Sequence, residues 1–78
     1  MTLDQLSMGH SAKVTKVGRE GALRLRLLDM GIIPRTRVSI VKVAPLGDPI
    51  GIWLRGYELT LRREDAKNIG IQPEGEQK

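Results

Sequence analysis

The sequence contains no cysteine and no phenylalanine, and it has one tryptophan, one tyrosine and one histidine. Without cysteine the chain has no disulfide, thiolate metal ligand, thiol nucleophile or redox motif. It also lacks an apolar run of about 18 residues, the length that a membrane-spanning helix needs. Its start, "MTLDQLSMGH", lacks the basic and apolar segments of a secretion signal. We therefore expect a cytoplasmic chain without direct membrane insertion.

The scarcity of aromatic residues leaves the core to leucine, isoleucine and valine. A chain of 78 residues forms one small domain, which buries only about 60 to 65 % of the surface that its unfolded state exposes. The last residues are polar and lack apolar periodicity, so we predict one domain over residues 1–72 and a disordered tail over residues 73–78. Apolar spacing predicts a helix at 20–30 and five strands, at 12–17, 37–44, 50–54, 57–62 and 69–72.

Two neighbouring strands predict a hairpin with residues 55–56 at its tip. In this hairpin Ile52 lies opposite Leu59, and the apolar side chains of both strands point to the same face because side chains alternate along a strand. Trp53 then points outward, opposite Glu58. The agreement of two independent patterns fixes the register of this hairpin.

The strand predicted at 37–44 changes phase along its length. Val38 and Ile40 share one face, whereas Val41 and Val43 share the other, and a bend or a β-bulge would explain such a slip. Bent strands joined by tight turns let a small sheet curl over on itself. We therefore predict a mainly β fold, a small and partly open barrel of about five strands with one helix between the first two.

The predicted helix has one apolar side. Leu23, Leu27 and Met30 fall on a narrow stripe, so we expect this side to pack on the barrel with Met30 in the core. Gly31 follows where a helix often needs a residue with positive φ, and Pro34 cannot continue the helix.

Leu25 lies on nearly the opposite side of this helix, between Arg24 and Arg26. An exposed leucine is usual on a protein surface, but a leucine between two arginines also suits a contact surface. Arginine and tryptophan are over-represented among interface hot spots. The candidate partner-binding residues are therefore Arg24, Leu25, Arg26 and the outward Trp53.

Catalytic and cofactor-binding residues are not indicated. The single histidine has no cysteine partner, and no serine lies in a G-x-S-x-G context. The segment "APLGDPI" at 44–50 has one glycine, lacks a following Lys-Ser or Lys-Thr, and leads into a strand, so we interpret it as a hairpin loop and not as a phosphate-binding loop. The sequence therefore predicts neither an enzyme nor a cofactor.

Metal ligands are present but scattered. Asp4, Met8, His10 and Asp29 could supply oxygen, thioether and imidazole ligands. Nothing in their spacing brings them together, so we predict no dedicated metal site.

The basic residues outnumber the acidic ones by 13 to 9, which gives a net charge of +4. They are spread along the chain, and the longest run is the pair at 62–63. This distribution favours a solvated surface and no specific nucleic-acid binding. A small barrel that binds nucleic acid remains an alternative, although only Trp53 and Tyr57 could stack on bases.

An ordered set of motifs resembles the FeoA family. The set begins with a helix that closes with "RLLDMG" and continues with Pro34, "APLGDPI" and "RGYELTLRREDAKNI". The opening "TLDQLSMGHSAKV" is similar to the N-terminal strand and preceding turn of that family. The resemblance implies an SH3-like barrel, a cytoplasmic location and a role in bacterial ferrous iron transport. It also implies partnership with FeoB, a membrane permease with a cytosolic GTP-binding domain. The chain departs from the commoner family pattern at Leu25, where a basic residue is usual.

With this resemblance we expect a non-enzymatic accessory module that docks on the cytosolic region of FeoB and modulates iron uptake. The first alternative is the nucleic-acid-binding barrel, and the second is an iron-binding chaperone or sensor. The sequence leaves self-association open.

Overall fold

The computed structural model describes residues 1–18 and 21–74. Their elements are a 3-10 turn at Leu3–Gln5, β1 at Ser11–Val17, α1 at Ala22–Asp29, β2 at Arg37–Val43, β3 at Ile50–Leu54, β4 at Tyr57–Leu61, α2 at Arg63–Ala66 and β5 at Ile69–Pro73. All five predicted strands and the helix are present, and their ends agree with the predicted ones to within two residues. Glu20, the predicted start of the helix, and residues 75–78 of the predicted tail lie outside the described part of the chain.

The strands form one antiparallel sheet in the order β4-β3-β2-β1-β5. Its two edge strands, β4 and β5, do not pair with each other, so the sheet is open. α1 occupies the connection between β1 and β2. The predicted mainly β architecture, with one helix between the first two strands, is confirmed.

The β3–β4 hairpin has the predicted register. Ile52 pairs with Leu59, and Trp53 pairs with Glu58. The two tip residues, at 55–56, both have positive φ, of 51° and 88°, as a type I′ turn requires. This turn has the twist that two directly paired antiparallel strands need.

β2 contains the predicted bulge. Its pairing with β3 shifts register between Ile40 and Lys42, so Val41 is the extra residue. Val41 is accordingly exposed, while Ile40 is buried and Val43 packs against the core. The bulge therefore returns the apolar residues of the strand to one face.

The core consists of aliphatic side chains. The largest fully buried ones are Leu3, Leu27, Ile32, Ile40, Ile52, Leu54, Ile69, Val14 and Val38. Burial of each such side chain stabilises the fold by about 1.5–3 kcal/mol. Leu3 in the N-terminal turn and Ile32 after α1 are core residues that the sequence pattern did not identify.

α1 ends in a Schellman motif. The Gly31 N–H donates to the Leu28 carbonyl at 3.0 Å, and the Ile32 N–H donates to the Leu27 carbonyl at 3.1 Å. Gly31 has the predicted positive φ, 95°. Leu27 and Ile32 are both fully buried, which matches the apolar contact that accompanies this motif.

Met30 is less buried than the predicted core position requires. Met30 is the C-cap of α1 and is only half-buried, although it packs against the core cluster. The left-handed conformation of Gly31 reverses the chain, so the next residue, Ile32, turns back beneath α1 and is fully buried.

A tyrosine from β4 fixes this reversal from the other side. The Tyr57 hydroxyl donates to the Met30 carbonyl at 2.5 Å, which satisfies a carbonyl that the helix leaves without a partner at its end. A Cβ added at Gly31 would stand 2.6 Å from this hydroxyl oxygen. Glycine is therefore required at position 31 for its conformation and for its size.

We predict that Gly31→Ala destabilises the fold more than Gly56→Ala. Both glycines have positive φ, so each alanine costs about 1–2 kcal/mol. Only Gly31 has Tyr57 beside it, whereas no atom lies within 4 Å of a Cβ at Gly56. Urea denaturation of the two variants measures the difference in the free energy of unfolding.

A double-mutant cycle identifies the cause. In a Tyr57→Phe background, Gly31→Ala should cost less, because the nearest remaining ring atom would be 3.8 Å from the new Cβ. An equal cost in both backgrounds would show that the hydroxyl does not restrict position 31.

Candidate functional site

The outer side of α1 carries the candidate residues Arg24, Leu25 and Arg26. Leu25 is 62 % exposed, as the helical periodicity predicts. Arg26 is exposed, and its Nη2 lies 3.3 Å from an Asp65 carboxylate oxygen on α2. Arg24 is only half-buried because its backbone lies against Gly18, where an added Cβ would be 3.5 Å from the Arg24 Cα. Leu25 and Arg26 are therefore more accessible than Arg24.

Trp53 lies on a different part of the surface. It is 47 % exposed and occupies the outward face of β3, paired with Ser39 on β2 and Glu58 on β4. The predicted outward orientation is confirmed. Across residues 1–18 and 21–74, no hydrogen bond or ion pair joins Trp53 to α1. Trp53 and Leu25 therefore lie on two different elements, β3 and α1.

A cleft of about 310 Å³ lies on the outer face of the sheet, beside the β2–β3 connection. Gly51 leaves space there, because a Cβ at this position would stand 2.9 Å from a Glu58 carboxylate oxygen and 3.0 Å from the Lys42 Cβ. The Lys42 and Glu58 side chains form an ion pair at 3.4 Å. The walls include Pro45 and Pro49, so the cleft can receive a small apolar group. Sequence reasoning missed this site, because its parts come from three strands.

The loop at 44–50 is the predicted hairpin loop, and Arg63 anchors it. The Arg63 Nε donates to the Gly47 carbonyl at 2.8 Å, and its Nη1 donates to the Asp4 carbonyl at 2.7 Å. Its backbone N–H donates to the Asp48 carboxylate at 2.9 Å. Arg63 therefore joins three segments that are distant in sequence, and its role is structural. Leu46 in the same loop is 96 % exposed.

The candidate metal ligands do not assemble. In the part of the chain that the structure describes, no three His, Cys, Asp or Glu side chains are grouped as a metal site would need. Asp4 accepts a hydrogen bond from the Thr2 hydroxyl in the N-terminal turn, Asp29 is the last residue of α1, and Met8 is exposed. Asp4, His10 and Asp29 do not form such a group.

No helix in the described ranges has the length and apolar character needed to cross a bilayer.

An open antiparallel five-stranded sheet with a helix between its first two strands places the protein among small SH3-like β domains. A family model, the FeoA domain, matches residues 1–73. The chain belongs to the FeoA family.

Solved structures of related proteins have the same fold. The FeoA-like protein of Clostridium acetobutylicum is 36 % identical with a TM-score of 0.92, and the match covers 100 % of this chain and 91 % of that protein. FeoA of Chlorobium tepidum is 37 % identical with a TM-score of 0.89, over 100 % of this chain and 74 % of that protein. FeoA of Stenotrophomonas maltophilia, complexed with zinc, is 26 % identical with a TM-score of 0.78, over 92 % of this chain and 89 % of that one.

The Stenotrophomonas protein is described as an SH3 domain protein, and a role as a ferrous iron transport activating factor is suggested for it. This description agrees with the SH3-like fold predicted from the sequence. A further relative is the Fe(2+) transport protein A/Fe(2+) transporter FeoB fusion protein of Porphyromonas gingivalis. It is 36 % identical over 72 residues, which are 92 % of this chain but only 8 % of the fusion protein.

We predict that Leu25 can be changed without unfolding the protein. Leu25→Asp should alter the free energy of unfolding by no more than about 1 kcal/mol, mainly through the lower helix propensity of aspartate. Leu27→Ala, two positions along, should cost about 2–5 kcal/mol because it empties a fully buried site. Urea denaturation of both variants provides the test, and a loss from Leu25→Asp as large as that from Leu27→Ala would mean that Leu25 is buried.

Proposed function

We propose that the chain is a non-enzymatic, cytoplasmic accessory module of FeoB-mediated ferrous iron uptake and that it acts by protein–protein contact. The fusion protein of Porphyromonas gingivalis carries this proposal, since one polypeptide there contains both a transport protein A part and a FeoB transporter part. Covalent linkage holds two modules at a high effective concentration, which serves a function that requires them to meet. We infer that this chain meets a FeoB transporter through its own surface.

The exposed side chains support a binding role. Leu25 on α1 and Trp53 on β3 are large apolar residues with substantial exposure. Such residues supply the apolar area that drives association, and tryptophan is common among interface hot spots.

α1 is the preferred docking element in this proposal. Its inner side is fixed by the Leu27 and Ile32 packing, and its end is fixed by the Tyr57 hydrogen bond. A rigid helix that presents Leu25 loses little conformational entropy when a partner binds. Arg24 and Arg26 on either side add positive charge, which favours an acidic surface around an apolar pocket on the transporter.

We expect Leu25→Asp and Trp53→Ala each to weaken binding to the purified cytosolic region of the FeoB from the same organism. If these residues are hot spots, each change should raise the dissociation constant at least about tenfold. Leu46→Asp is the matched control, because it places the same charge at another exposed leucine and should leave binding within about twofold. Biolayer interferometry with immobilised FeoB cytosolic region measures all four proteins, including the unchanged chain.

The outcomes separate the alternatives. If Leu46→Asp alone loses binding, the docking surface lies at the loop at 44–50. No binding by the unchanged chain, with the FeoB region free or loaded with GDP or a GTP analogue, would contradict the proposed function. Sequence-selective nucleic-acid binding at physiological salt would favour the small-barrel alternative, and one equivalent of ferrous iron retained through desalting would favour the chaperone or sensor.

A further inference from the structure

The two edge strands of the sheet differ in whether another segment of the chain covers them. The β5 edge is covered by the N-terminal segment, since the Ile71 N–H donates to the Met1 carbonyl at 2.9 Å and Thr2 forms a bridge with Gly70. The β4 edge has no equivalent cover from residues 1–18 or 21–74. Uncovered strand edges are sites where another chain can pair.

The hairpin register shows which backbone N–H and C=O groups of β4 do not bond to β3. Leu54 and Tyr57 flank the two-residue turn and form a hydrogen-bonded pair, and such pairs alternate with non-bonded pairs along an antiparallel ladder. Glu58 and Thr60 fall in the non-bonded pairs, so their N–H and C=O groups point away from β3. Within the described ranges no backbone or side-chain group bonds to them. β4 therefore offers two donors and two acceptors at the spacing of a strand.

A cleft of about 290 Å³ runs beside this edge. Its lining comes from Arg26 on α1, Met30 at the end of α1, Thr60 and Leu61 on β4, and Asp65 on α2. The helix thus forms the opposite wall of a groove whose other wall is the unpaired strand edge.

Positive charges stand at both ends of this edge. Arg55 is at the tip of the hairpin and Arg62 follows β4, about 20 Å away along an extended chain. Neither forms an ion pair with a described residue. The Arg26–Asp65 pair in the cleft has a largely exposed arginine, so solvent screens this ion pair and the arginine can exchange partners. An incoming strand that carries carboxylates would meet unpaired arginines.

We propose that the free edge of β4 binds an extended, acidic peptide segment of a partner protein by strand addition. Backbone hydrogen bonds to Glu58 and Thr60 would give the binding energy, and the flanking arginines would select for acidic side chains. This strand addition is defined by the acidic chemistry of the segment, and it does not require that the partner is FeoB.

A second copy of the chain is a poorer occupant. Antiparallel pairing of two β4 strands through Glu58 and Thr60 is centred on Leu59 and sets residue 62 of one copy opposite residue 56 of the other. Arg62 of each copy would then come close to Arg55 at the hairpin tip of the other copy, and like charges repel each other. An acidic segment replaces this repulsion with attraction.

Thr60→Pro tests the proposal without breaking the hairpin. The Thr60 N–H points away from β3, so proline there removes a hydrogen bond to an added strand but none to β3. Thr60→Val is the matched control, because valine keeps the N–H and the β-branched shape. With the peptide below, Thr60→Pro should weaken binding at least about fivefold, whereas Thr60→Val should stay within about twofold.

The probe is the synthetic peptide acetyl-Glu-Val-Glu-Val-Glu-Val-Glu-amide, compared with its lysine-for-glutamate counterpart. Titration is followed by amide NMR of the ¹⁵N-labelled chain. The acidic peptide should shift β4 and α1 resonances and slow hydrogen exchange of the Glu58 and Thr60 amides, and the lysine peptide should bind at least about tenfold more weakly. If Thr60→Pro fails to fold, the amide exchange of the unchanged chain still shows whether the peptide pairs with β4.

Three results would overturn the inference. The first is no saturable binding of the acidic peptide, or equal binding of both peptides. The second is binding whose shifts lie on the outer face around Trp53 and leave the Glu58 and Thr60 amides unprotected. The third is protection of these amides without peptide that rises with protein concentration, which would show that a second copy occupies the edge.

Discussion

The chain reversal after α1 is the constraint on which the rest of the structure depends. Gly31 takes a left-handed conformation, and this turn lets Ile32 pack beneath the helix against Leu27. The Tyr57 hydroxyl then fixes the helix end to β4. Because of these contacts α1 closes one side of an open sheet, presents Leu25 to solvent and forms the wall of the groove beside β4. The joint itself is structural, and the surfaces it positions are available for binding.

Local patterns predicted much of this fold. The alternation in β3 and β4 predicted the hairpin register, and the phase slip in β2 indicated a bend or bulge, which the structure shows as a bulge at Val41. Gly31 was predicted as a helix-ending residue because left-handed φ is so strongly tied to glycine. Each of these features is encoded by residues that are close in sequence, which is why periodicity and turn chemistry could identify them.

Contacts between distant segments could not be predicted in the same way. Helical spacing placed Met30 in the core, but the reversal at Gly31 gives that place to Ile32. Arg63 belongs to a pair that seemed only solvated, yet its guanidinium binds carbonyls from the β2–β3 loop and from the N-terminal turn. For the candidate site, periodicity predicted the exposure of Leu25 and Trp53, which the structure confirms. It could not show that the β4 edge is free, since this depends on the order of the strands.

A domain held rigidly at one joint, with exposed apolar groups on separate surfaces, suits a protein that works by contact with a transporter. Hydrogen–deuterium exchange of the chain, with and without an excess of the FeoB cytosolic region, tests this account most directly. When the FeoB region is present, amide exchange should be slower in α1 and in β3 or β4, and it should be unchanged in β1 and β5. No change at any amide under conditions that saturate the chain, or loss of protection throughout the sheet, would contradict it.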